Sequence, residues 1–342
     1  MIVVSDRSLE VLRVIVQDYV ASREPVGSKS IVDRHSFGVS AATIRNDMAL
    51  LEEEELITAP HTSSGRIPTD KGYRMFVDHL ADLKPLTIAQ RQAIETFLGE
   101  SADLDDVLSR TVRLLSQLTH QVAMVQYPSL SQARLRHIEL VSLSPTKLLS
   151  VMITDTGHVD QRVLEVPTEV DVEFLGELRA KLNAALVGAG VLEAAGRMAG
   201  LAALFGEGRR SVVNSIALAL AEQVAANRQD RLVIAGASNL VRTEEDFHGS
   251  ILPVLEAVEE QVVLLRLISE LEADQRGVSA SIGRENAPFG LAETSILASG
   301  YLAQGGAVAH VGVLGPTRMD YSSNMAAVRA VARYLSRSLG DG

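Results

Sequence analysis

The spacing of apolar residues changes three times along the chain, so neither an all-helical nor an all-strand fold can accommodate it. Up to about Thr119 the period is helical, as in Leu9, Leu12, Ile15, Val16 and Tyr19. From Val122 to Val166 it is two: Val122 to Gln126, Leu135 to Leu143, Leu148 to Thr154 and His158 to Val166 read as strands. Residues from about Val172 to Asn227 are rich in Ala and Leu and read as three or four helices. Strand-like runs then return, at Val233 to Ala235, Val262 to Leu267, Val278 to Ile282, Thr294 to Tyr301 and Ala307 to Leu314, with helices near Ile251 to Gln261 and from Ser323 to Leu339. At 342 residues this pattern predicts two or three domains of a multidomain α+β protein.

The first 85 residues form one unit. Asp6 can cap a helix running to about Ser22, and Pro25-Val26-Gly27 ends it. Ser28 opens a short helix to about His35, and Ser40 caps a third from Ala41 to about Glu54. Leu56-Ile57 and Ile67 then flank a polar loop as two short strands. Three helices and a hairpin make the winged form of the helix-turn-helix.

With Ile44 at zero on a helical wheel, Met48 falls at about 40° and Leu51 at about 340°, one buried stripe. Ala42, Thr43, Arg45 and Asn46 lie on the other faces, small or polar, near the N-terminal end. A recognition helix needs this, because that end enters the major groove. Arg reads guanine, Asn reads adenine, and a Thr methyl touches thymine. Ser40 and the free amides of the first turn can accept a phosphate. The acidic run Glu52 to Glu55 lies about 16 Å along the axis, far enough to point away from DNA. The loop His61-Thr62-Ser63-Ser64-Gly65-Arg66 is small and hydroxyl-rich and fits a minor groove or a phosphate track. Thr43, Arg45 and Asn46 are therefore expected to read bases, with Ser40, Ser64 and Arg66 on the backbone and Ala42, His61 and Ser63 at the same interface. An ordinary solvated helix and a plain surface hairpin remain the alternatives.

Composition removes other classes. The net charge is −11, which argues against a chain that coats nucleic acid everywhere and calls for a local surface. There is no Cys, so disulfides, Cys-ligated zinc, iron–sulfur clusters and thiol nucleophiles are absent, which suits a reducing cytoplasm. The start MIVVSDRSLE is not expected to be a signal peptide, and no apolar run approaches the roughly 20 residues of a spanning helix.

Several short motifs invite chemistry. Asp155-Thr156-Gly157 is the aspartic-protease tripeptide, but it also makes a polar hairpin tip. Gly188-Ala189-Gly190 lacks the third small residue of a dinucleotide fingerprint, since Glu193 occupies it. Gly206 to Arg210 and Gly315-Pro316-Thr317 read better as turns than as anion sites. The eight histidines are scattered and show no metal spacing. No cofactor, metal or catalytic group is expected.

Two long blocks, Val39 to Met48 and Pro60 to Arg74, closely resemble the HrcA family of bacterial heat-inducible transcription repressors. So do His137 to Val141, Gly236 to Leu240, Ile282 to Asn286 and Gly312 to Tyr321, so the resemblance runs from about Ser8 to Leu339. One departure is Glu54-Glu55, where the family usually has a Gly that ends the recognition helix. The resemblance implies a homodimer on the CIRCE inverted repeat upstream of chaperone operons, modulated by the chaperonin GroEL. It also implies a GAF-like domain split by a mostly helical inserted dimerisation domain. The expected division is 1–85 winged helix, 86–171 and 262–342 GAF-like, and 172–261 inserted, with Lys84 to Thr87 as linker. A metabolite-responsive winged-helix regulator, with its ligand in the GAF-like domain, is the alternative.

Overall fold

The computed structural model describes residues 5–61, 65–79, 86–99, 103–128, 134–155, 159–226, 231–247, 249–271, 277–303 and 308–340. The chain begins with α1 (Asp6–Ser22), α2 (Ser28–Arg34), α3 (Ala41–Glu53), β1 (Ile57–Thr58), β2 (Ile67–Pro68) and α4 (Asp70–Asp78). Then come α5 (Ile88–Gly99), α6 (Leu104–Thr119), β3 (Val122–Gln126), β4 (Leu135–Ser144), β5 (Lys147–Thr154) and β6 (Val159–Glu165). Helices α7 (Val172–Leu186), α8 (Val191–Met198) and α9 (Glu207–Ala226) precede β7 (Leu232–Ala235), α10 (Ser238–Arg242), α11 (Leu252–Glu260) and α12 (Val262–Glu270). The chain closes with β8 (Ser279–Ile282), β9 (Thr294–Leu302), β10 (Val308–Pro316) and α13 (Tyr321–Gly340).

Helices α1 to α4 and the β1–β2 pair form a head. The α1 cap is Ser5, whose hydroxyl accepts from the Ser8 amide at 3.2 Å, and not Asp6, which sits in the first turn. Antiparallel β1 and β2 match Ile57 with Pro68, and a bridge between Val26 and Arg66 extends the pair. Helix α4 was not anticipated from the sequence. Its signal was there: Thr69 caps it, and Tyr73, Phe76 and Val77 are buried at helical spacing. Gly72 lets α4 sit on the hairpin entry, since a Cβ there would lie 1.9 Å from the Leu56 carbonyl oxygen.

An antiparallel five-stranded sheet of order β7-β3-β10-β9-β8 forms the body. Alternation along its strands gives it two apolar faces. Ala123, Val125, Leu297, Val311 and Val313 pack with α6, α13 and the head in one continuous core. Val122, Met124, Ile296, Ala298 and Leu314 pack with α10, α11 and α12 on the other side. Residues 262–267 are therefore helix and not the expected strand. The run Val262 to Ile268 is almost continuously apolar, so alternation could not decide, and burial of Leu264, Leu267 and Ile268 shows helical spacing.

Strands β4, β5 and β6 form a separate sheet whose inner face packs on α7, α8 and α9. This line of packing differs from the boundaries expected at 172 and 262. The unit with its own core runs from about Leu135 to Val224, while β7, α10 and α11 join the five-stranded sheet. Period-two alternation identifies a strand but not the sheet it enters, which is why the sequence placed β4 to β6 with the body. Among the described residues no helix is long and apolar enough to cross a membrane.

Candidate nucleic-acid interface

Helix α3 is seated by its apolar stripe: Ile44 and Leu51 are fully buried, and Met48 nearly so. A second, unforeseen anchor is Asp47, only 2% exposed. Its carboxylate accepts from Arg7 Nε at 2.8 Å, Arg7 Nη2 at 3.1 Å and the buried Ser8 hydroxyl at 3.1 Å. Through Asp47 the start of α1 holds the middle of α3, and the bond raises Arg7 above its usual basicity. A charge one position before Met48 was the available signal, since a carboxylate beside an apolar stripe demands a partner. Asp47→Ala removes the buried acceptor shared by Arg7 and the Ser8 hydroxyl, so the head is expected to lose about 1–3 kcal/mol of stability, read as a lower midpoint in thermal unfolding.

The opposite face of α3 is open. Ala42, Arg45 and Asn46 are exposed, and Thr43 is half-buried. Neither Arg45 nor Asn46 makes a side-chain hydrogen bond or ion pair among the described residues. Ser40 caps the helix as expected: its hydroxyl accepts from the Thr43 amide at 3.2 Å and lies 3.1 Å from the Thr43 hydroxyl. That engages Thr43 Oγ1 and leaves its methyl for contact.

The helix leaves through Glu55, whose φ of 59° lies in the left-handed region. Leu56 N–H closes the exit onto the Leu51 carbonyl at 2.8 Å. Glycine suits that conformation, which accounts for the Gly expected near this point. Glu55→Gly is expected to stabilise the head by about 0.5–1 kcal/mol, as a raised thermal midpoint.

Of the loop residues, Ser63 and Ser64 lie outside the described residues. His61 is exposed at the loop's start. Arg66, expected on the DNA backbone, pairs with Glu52: its Nε donates to Oε2 at 3.0 Å and Nη2 lies 2.9 Å away. The acidic end of α3 therefore does not simply point away. Glu52 turns to the hairpin and engages its arginine.

The other motifs find ordinary places. Asp155 Oδ1 accepts from the Arg134 amide at 2.9 Å at the end of the β4–β5 ladder; residues 156–158 lie outside the described residues. Arg209 pairs with Glu177 at 3.4 Å, and Arg210 donates to the Phe205 carbonyl at 3.2 Å. Gly315 lies next to the end of β10, where a Cβ would strike the Gln121 side chain. Among the described residues no cluster of three His, Asp or Glu is placed to hold a metal ion.

The family model described as the HrcA protein C-terminal domain matches residues 105–325, more than half of the chain. The chain belongs to the HrcA family. It is 68% identical over 338 residues to the heat-inducible transcription repressor HrcA of Clavibacter michiganensis subsp. michiganensis, covering 99% of each chain. The HrcA protein of Leifsonia xyli subsp. xyli is 67% identical over 338 residues, covering 99% of this chain and all of that one. A crystal structure described as that of a hypothetical protein is 25% identical, with a TM-score of 0.69 over 98% of both chains. The HrcA domain match begins in α6, and the full-length HrcA relatives extend the likeness through the head.

Proposed function

We propose that this chain is a heat-shock transcription repressor that binds the CIRCE inverted repeat as a homodimer. In this reading the head is a winged helix-turn-helix, the five-stranded sheet with its helices is a GAF-like domain, and the β4–β6 unit with α7 to α9 is an inserted dimerisation domain. The observation that carries it is the open N-terminal half of α3, with Ala42, Arg45 and Asn46 exposed behind a capped first turn. Thr43 contributes its methyl, and Ser40 and the first-turn amides meet a phosphate. One recognition helix reads only a few base pairs, so two heads on a palindrome supply the remaining specificity. The β4–β6 sheet supplies a pairing surface. Its outer face carries the row Val141, Leu149 and Val163 across the three strands, together with Val151, Ile153 and Leu143. Leu143 and Val163 are each 54% exposed, an apolar face rather than scattered residues. Modulation by the chaperonin GroEL rests on the family resemblance, as does the cytoplasmic setting.

The test is fluorescence anisotropy of the purified protein on a duplex carrying the inverted repeat, with a shuffled duplex as control. Equal affinity for both sinks the reading. The Glu52–Arg66 pair adds a prediction. Glu52→Gln removes a repelling charge and the carboxylate that engages Arg66, so all duplexes should bind more tightly, with the slope of log K against log salt steeper by up to about one. An unchanged slope would show that Arg66 stays off the phosphates.

A further inference from the structure

Three of the sequence blocks that mark the family meet where the head rests on the body. The first contact is Arg318, from the block Gly312 to Tyr321. Its side chain is only 11% exposed, and its Nε lies 2.7 Å from Asp246 Oδ1, itself 5% exposed. Its Nη1 donates to the carbonyls of Tyr19 at 3.0 Å and Val20 at 2.8 Å. Those carbonyls belong to the last turn of α1, the negative end of the helix dipole. Arg23, just past α1, reaches the other Asp246 oxygen at 2.9 Å and Glu245 at 3.0 Å.

The second contact joins the start of α4 to the block Ile282 to Asn286. Arg74 pairs with Glu285 and donates to the Ala280 carbonyl at 2.7 Å. The Arg284 amide donates to Asp70 Oδ2 at 3.0 Å. Gly283, at φ 56°, makes room for that carboxylate, since a Cβ there would lie 2.3 Å from Asp70 Cγ. The third is aromatic: Tyr73 and Phe76 lie against Tyr321, with ring centroids 5.6 and 6.5 Å apart. Residues of all three contacts line an open cleft of about 1200 Å³.

We infer that this three-point seat is a positioning device for operator reading, with Arg318 and Asp246 its central positioning residues. They touch no DNA. They fix the angle at which each body carries α3, and so the separation of two recognition helices in a pair. The alternative, a contact that masks the reading surface, conflicts with the exposure of Ala42, Arg45 and Asn46 while the head is seated. The chemistry suits a rigid seat. One planar guanidinium serves a buried carboxylate and two helix-end carbonyls at once, and a lysine ammonium cannot reproduce that fork. Lifting the head would cost Arg318 both helix-end carbonyls and Asp246 its Arg23 partner, leaving the two only their bond to each other.

The inference rests on the proposed repressor function, and the experiment separates the two. Wild type, Arg318→Met, Arg318→Lys and Arg23→Gln are titrated by anisotropy against the full inverted repeat, a single half-site, and repeats with one to five base pairs added between half-sites. Arg318→Met is expected to bind the native repeat about tenfold more weakly, through lost effective concentration, with half-site affinity unchanged. It should also discriminate less among the altered spacings, which wild type rejects. Arg318→Lys should recover part of the loss. Arg23→Gln, at the half-exposed rim, should show the same pattern more weakly, and it carries the test should Arg318→Met fail to fold. Equal losses on half-site and repeat would reduce the seat to fold maintenance and overturn the inference. Tighter binding of both would make the seat inhibitory and overturn it equally. A wild type that ignores the repeat overturns the repressor reading itself, whatever the variants do.

Discussion

Arg45→Ala should weaken binding to the inverted repeat by about 1–3 kcal/mol for each head, tenfold or more, and relax the preference for one base pair in each half-site. The expectation follows from geometry. Arg45 projects from the open face of α3, one residue past the buried Ile44, and makes no ion pair among the described residues. Binding DNA therefore breaks no existing contact, and losing the side chain leaves the head's core untouched. Asn46→Ala should behave alike at a neighbouring position. Anisotropy against a set of single-base variants of the repeat provides the check. A uniform loss on every sequence would assign Arg45 to the phosphates, and no loss on any would remove α3 from the interface.

On the proposed pairing through the β4–β6 sheet, Leu149→Lys should yield monomers. Leu149 lies on the middle strand of that sheet, between Val141 and Val163 on its flanks, in the apolar row of the outer face. In one chain the new ammonium can reach water, so the fold tolerates it. Across a two-fold axis two such charges would be desolvated near each other, which typically costs several kcal/mol. Light scattering should report the monomer mass, and affinity for the full repeat should fall toward that of a half-site, about 10²–10⁴-fold. A dimeric mass would move the interface elsewhere, with the helices α7 to α9 as the next surface to examine.

What was legible in the sequence was mostly local. The wheel through Ile44, Met48 and Leu51 predicted the buried stripe of α3, and alternation predicted β3, β4, β5, β9 and β10. Capping chemistry found Ser40, although it chose Asp6 where Ser5 acts. What failed was either ambiguous in period or non-local. The run from Val262 is too uniformly apolar to show its helical spacing, and membership of β4 to β6 in a second sheet depends on partners dozens of residues away. The open residues Ala42, Arg45 and Asn46 could be named because exposure follows from periodicity. The engagement of Arg66 by Glu52 and of Asp47 by Arg7 could not, because such pairs are set by how separate elements pack.

The apolar interior that runs unbroken from α1 and α3 through Tyr73 and Phe76 to the five-stranded sheet bears on how such a chain can diverge. A head of this kind is not a modular cartridge. Chimeras that graft it onto another regulator's body would leave the rings of Tyr73 and Phe76 and the charges of Arg23, Asp70 and Arg74 without the partners they have here. A change of target sequence is therefore open to the outward residues of one helix, whereas wholesale exchange of the reader is not.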